Sequence, residues 1–113
     1  MLAVARGTGA RGTELAALAG LCDTLFYAQR VEEMAARAQE LLETAIRVGG
    51  SGDRAEARAR IGQALVGQGR FEEAIPLLDD AIASARRVGA PVALKIALSY
   101  RGLVHYWQTE YET

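Results

Sequence analysis

Apolar residues recur at helical spacing along most of this chain. Ala74, Ile75, Leu78, Ala81, Ile82 and Ala85 follow one another at the steps that define one face of a helix, and Ala57, Ile61, Ala64 and Leu65 do the same in the preceding segment. No segment alternates apolar and polar over several residues, so the pattern predicts helices and no strands. Glycines punctuate it. Gly67-Gln68-Gly69 ends one helix and Gly89 ends the next, where glycine tolerates the left-handed turn, and Pro91 opens another. Asp53, with Glu56 following, reads as an N-cap in a capping box, and Thr13 reads as a cap of the same kind. Pro76 falls in the first turns of its helix, where a missing N–H costs least. The predicted helices run over about 13–29, 31–48, 53–67, 71–88 and 92–108, and a further one starts at Glu110.

The same pattern returns after about 40 residues. Arg70-Phe71-Glu72-Glu73 and Arg87-Val88-Gly89 answer Arg30-Val31-Glu32-Glu33 and Arg47-Val48-Gly49. Stepping forward, Gly62 reaches Gly102 and Phe71 reaches Tyr111; stepping back, Leu65 reaches Leu25. The register passes through Gly49-Gly50-Ser51-Gly52 without a slip, so that run is a turn between repeats and not a linker between domains. It also extends to Ala5-Arg6 and Gly9-Ala10, so residues 1–9 read as the end of a preceding helix. The chain therefore reads as a single domain over 1–113, with repeats at about 13–50 and 53–90 and a partial one at 92–113. Both ends are expected to be cut mid-repeat. Repeats bury their faces on their neighbours, so those uncapped ends predict either a longer parent array or self-association.

Ile61-Gly62, Leu65 and Gly69-Arg70-Phe71-Glu72-Glu73-Ala74, followed by Ala81, resemble a tetratricopeptide repeat. That family has a Leu-Gly step in its first helix, then a large residue, then Gly-x-aromatic-x-x-Ala across the turn. The third copy keeps Gly102 and Tyr111 but has Arg101 before the glycine. The first has Cys22 for the glycine, Gln29 for the turn glycine and Met34 for the turn alanine. Cys22 preserves the close packing of the helix pair, whereas Met34 requires a different arrangement. The period exceeds the usual ~34 residues, because the second helices run past the place of the family's proline, held here by Ile46 and Arg86. Long-helix repeats of this sort resemble those of bacterial signalling and regulatory proteins. The resemblance implies an all-α fold: a right-handed superhelical stack of antiparallel helix pairs, an α-solenoid with about five full helices and partial ones at the ends.

Composition narrows the function. Half the residues are apolar and the net charge is −1, which supplies a core and lacks the basic excess of a nucleic-acid binder. Abundant alanine and arginine, with Lys95 as the sole lysine, suggest a GC-rich bacterial source. Cys22 is the only cysteine, which excludes an intrachain disulfide and fits a cytoplasmic setting. No apolar run is long enough to span a membrane.

Chemistry is sparse. Gly7-Thr8-Gly9-Ala10-Arg11-Gly12 spells a dinucleotide-type glycine pattern, but no second strand follows to build the sheet that motif needs. His105 takes the register place of Leu25 and Leu65 and reads as a partly buried packing residue. The Glu32-Glu33 and Glu72-Glu73 pairs complement helix dipoles. No cofactor, metal site or catalytic constellation is expected.

In the resembled family the first helices line a concave groove. Carried over by register, the groove positions are Ala16, Ala19, Asp23, Phe26 and Tyr27 in the first copy, Glu56, Ala59, Gln63, Val66 and Gly67 in the second, and Ile96, Ser99, Leu103, Tyr106 and Trp107 in the third; of these, Asp23, Phe26, Tyr27, Gln63, Val66, Leu103, Tyr106 and Trp107 are the candidates to hold a partner. The expected function is a scaffold that binds a protein or peptide, as a regulatory or sensor segment without catalysis of its own. The alternative is a structural spacer or oligomerisation element that uses the open ends of the solenoid.

Overall fold

The computed structural model describes residues 10–111 and contains five helices: α1 (Ala10–Tyr27), α2 (Val31–Val48), α3 (Ser51–Gly67), α4 (Phe71–Val88) and α5 (Pro91–Tyr111). There is no strand among the described residues. Each helix packs on the next, and α3 also packs on α5, so successive helix pairs stack into an all-α solenoid. The short turns between neighbours make them antiparallel.

Alanine makes this close stacking possible. Ala59, Ala74, Ala81 and Ala97 are buried with Leu78 and Val104 at the centre, and Ala55, Ala85 and Ala93 form a second buried group. A methyl group is small enough to let two helix backbones approach, and it loses no side-chain entropy on burial.

The turns within the first two pairs are alike. Arg30 N–H donates to Leu25 O at 2.8 Å and Gln29 N–H to Phe26 O at 2.9 Å; Arg70 and Gly69 repeat this onto Leu65 and Val66 at 2.8 and 3.0 Å. This is the Schellman pattern, and it needs a left-handed residue. Gly69 supplies φ +77°, while Gln29 adopts φ 60° in spite of its side chain. The helices that follow carry acids in their first turns, Glu32-Glu33 and Glu72-Glu73, and those charges favour the helix N-terminus.

Five expectations are corrected. Asp53 and Thr13 are not N-caps, since both lie inside helices that start before them. Gly50 is the cap of α3, and the Asp53 carboxylate accepts the Gly50 N–H at 2.9 Å. Glycine has no side chain to return the bond, so only half of a capping box exists. Pro76 stands beyond the first turn, because helical bonding in α4 already begins with Ala74 N–H to Arg70 O, so its ring removes one intrahelical bond.

Nor does a new helix start at Glu110, because α5 runs unbroken to Tyr111. The register place of Gln29 and Gly69 is Thr109, whose branched Cβ resists the left-handed conformation a turn there would require. Finally, His105 is exposed. Its counterparts Leu25 and Leu65 are covered by α2 and α4, and no described helix covers that side of α5.

Residues 1–9, read as the end of a preceding helix, lie outside the described residues. Of the glycine-pattern segment, Ala10 to Gly12 are already helical within α1.

Candidate functional site

The first helices of the pairs, α1, α3 and α5, share one face of the stack, and contacts across that face follow a second spacing. The Arg60 guanidinium donates to Asp23 Oδ1 at 2.6 Å, and Gln63 Nε2 lies 3.1 Å from the Tyr100 hydroxyl; both pairs are 37 residues apart. Neighbouring first helices are thus staggered by nearly a turn relative to the repeat. Phe26, Gln63 and Tyr100 fall on one transverse row, with the Phe26 and Tyr100 rings edge to face at 5.9 Å between centroids. The row crosses three helices and ties them together.

On one side of the row lies an open apolar cavity of about 270 Å³, lined by Phe26, Val66, Tyr100, Leu103 and Trp107 together with Gly67 and Phe71. Tyr100, Leu103 and Trp107 reach it together because their spacing places them on one face of α5. Leu103 and Trp107 remain 38% and 39% exposed. Gly67 lets α3 pass close to the start of α2, since a Cβ there would stand 2.8 Å from Val31 Cγ1.

On the other side α1 stands away from α3, and a cleft of about 700 Å³ opens between them. Gly12, Ala16, Ala19 and Gly20 form its α1 wall, and Asp23, Asp53 and Glu56 bring carboxylates to it. Arg60 is buried there, its side chain 6% exposed, with Nε donating to Glu56 Oε2 at 3.1 Å besides the bond to Asp23. Desolvation pulls its pKa down, but the hydrogen bond to Asp23 and the fields of Glu56 and Asp23 outweigh that, and the net shift is upward. The guanidinium therefore stays charged and committed to its two acids.

The eight residues expected from the register divide accordingly. Phe26, Val66, Leu103 and Trp107 meet at the apolar cavity. Asp23 belongs to the cleft. Gln63 lies buried between the two regions, 7% exposed, and its Oε1 has no donor; rotating the amide by half a turn would let the Tyr100 hydroxyl donate to it. Tyr27 and Tyr106 do not line the cavity. Tyr27, 83% exposed, meets the edge of Phe26, and Tyr106 meets Trp107 edge to face at 6.3 Å between centroids. The face of α5 that carries Tyr106 corresponds to the side of α3 that looks toward α5, and among the described residues no first helix follows α5.

Arg60, Tyr100 and Phe71 were missed. The register alone sets Asp23 level with Gln63 and Gln63 level with Leu103, three positions beyond the Arg60 and Tyr100 that make the contacts, because it ignores the stagger between first helices. An arginine at a place where the preceding copy has Gly20 was the available signal.

A stack of staggered helix pairs with one continuous side-chain-lined face defines an α-solenoid of the interaction type. The family model described as tetratricopeptide repeat matches residues 13–87, and the chain belongs to that family. Its repeats mediate contacts between proteins. No curated protein and no solved structure matches the chain. No described helix is long and apolar enough to cross a membrane.

Proposed function

We propose that this chain is a peptide-binding scaffold, with the groove of α1, α3 and α5 as its binding face and no catalysis of its own. The observation that carries the reading is the cavity between Phe26, Val66, Leu103 and Trp107, which leaves large apolar surfaces half-exposed around a depression. Half-exposed aromatics in a concave setting are typical anchors of interfaces. The charged groups of the face are engaged with one another, the buried Arg60 guanidinium being held by Asp23 and Glu56. Helices of 17 to 21 residues fit the long-helix variety of the repeat, and with the alanine- and arginine-rich composition they support a regulatory or sensor role within a larger bacterial, cytoplasmic signalling protein. Neither nucleic acid nor membrane is the partner in this reading.

The test is selection of displayed random peptides on the whole chain. Bound peptides should be released by Trp107→Ala at unchanged helical content and retained by Tyr27→Ala, which lies outside the cavity. Retention of every peptide by folded Trp107→Ala would remove the groove from the account.

A second reading, a spacer or self-association element, draws on α5. Leu98 on that helix is 43% exposed, and open space surrounds Gly102, whereas Leu78 crowds the corresponding Gly62. A concentration-dependent sedimentation coefficient, abolished by Leu98→Glu, would favour it.

A further inference from the structure

The geometry points to a basic ligand: an extended peptide that seats one large apolar side chain in the aromatic cavity and places an arginine or lysine, four to six residues away, at the carboxylates of the α1–α3 cleft. This rests on the peptide-binding reading above and adds the chemistry of the partner.

The two regions differ in what they can take. A cavity of about 270 Å³ is smaller than the pockets that enclose a whole drug-sized molecule, and its walls are aromatic and aliphatic, so it suits a single large side chain. The cleft is wider and charged. Three carboxylates face one guanidinium there, and that guanidinium is buried and already shared by Asp23 and Glu56. Asp23 and Asp53 remain exposed. The cleft thus presents net negative charge beside apolar helix walls, an arrangement that concentrates the field. An acidic peptide would meet like charge, while a cation would find acceptors.

The spacing follows from α3 itself. Glu56 and Val66 lie on the same helix and, at 1.5 Å per residue, stand roughly 15 Å apart along its axis. An extended chain covers roughly that distance in about five residues.

The experiment uses the same displayed random peptides on the whole chain. The expected consensus is a large apolar residue with an arginine or lysine four to six positions away. A synthetic peptide of that consensus should lose about ten-fold in affinity when its basic residue is replaced by glutamate, and should bind more weakly as salt rises. Glu56→Gln, which keeps the hydrogen bond to Arg60, should narrow the difference between the two peptides. Acidic or charge-indifferent peptides that are still released by Trp107→Ala would overturn this inference and leave the groove reading standing. Basic peptides that bind Trp107→Ala as well as the native chain would place the contact elsewhere and overturn both. Failure to select any peptide would also overturn both.

Discussion

At the scale of residues, the two complete pairs fill the same space with different side chains. In the middle pair Gly62 makes room for Leu78, whose Cδ2 would stand 2.6 Å from a Cβ at that place. In the first pair Cys22 and Ala38 occupy the corresponding positions, and both are buried in one cluster with Met34. The large residue has moved back one turn, from the place of Leu78 to that of Ala74, and Met34 supplies it. Gly62→Ala should therefore cost about 1–3 kcal/mol by overpacking. Combined with Leu78→Ala, it should cost at least about 1 kcal/mol less than the sum of the two single changes, because the new methyl fills part of the cavity; denaturant melts of the three variants measure this. Gln29 is a second exception, with a side chain at φ 60°. Gln29→Gly relieves that strain at some cost in chain entropy and should stabilise by about 0.5–1 kcal/mol, read as a raised melting temperature. Cys22 is fully buried, and desolvation raises its thiol pKa. The raised value means that the folded state keeps its proton while the unfolded chain ionises near the ordinary 9.0. Its contribution to stability is complete below that pH and is lost as pH climbs through the folded pKa. Alkylation of Cys22 should be slow in the native chain and rapid in urea; rapid native labelling would mean that α1 does not seal it.

At the scale of elements, the periodicity of apolar residues and the glycine punctuation made the helices and their order legible in advance. Their first turns were not. Asp53 and Thr13 look like caps, yet a helix can begin from a glycine cap when a later carboxylate reaches back, as Asp53 does to Gly50. The end of α5 shows how one residue governs a boundary: glycine at 69 permits the turn, and threonine at 109 lets the helix continue. The tie between first helices is also an element-scale matter. Arg60 reaches from α3 to Asp23 on α1, where few other contacts join the two helices. Asp23→Ala should destabilise by about 1–2 kcal/mol, since it leaves a buried guanidinium with Glu56 alone, discounted because Asp23 is itself half-exposed. Hydrogen exchange should show the loss concentrated in α1. A uniform loss over all five helices would mean that the pair does not act as a local clasp.

At the scale of the whole molecule, stacking turns three weakly amphipathic first helices into a face with two characters. Of the eight positions expected from the repeat register, Phe26, Val66, Leu103 and Trp107 line one cavity. It could not show the stagger of 37 residues between contacting positions, because that arises only when helices pack across the groove. For this reason Tyr100 and Arg60 were passed over, and the division into an aromatic cavity and an acidic cleft was not visible. The central claim is that this cavity receives a partner's side chain, and Trp107, the only tryptophan of the chain, sits at its wall. Its fluorescence is the most direct measurement. Titration with a tryptophan-free selected peptide should shift its emission to the blue and saturate, as the half-exposed indole is covered. An emission maximum that stays unchanged at saturating peptide would contradict the account.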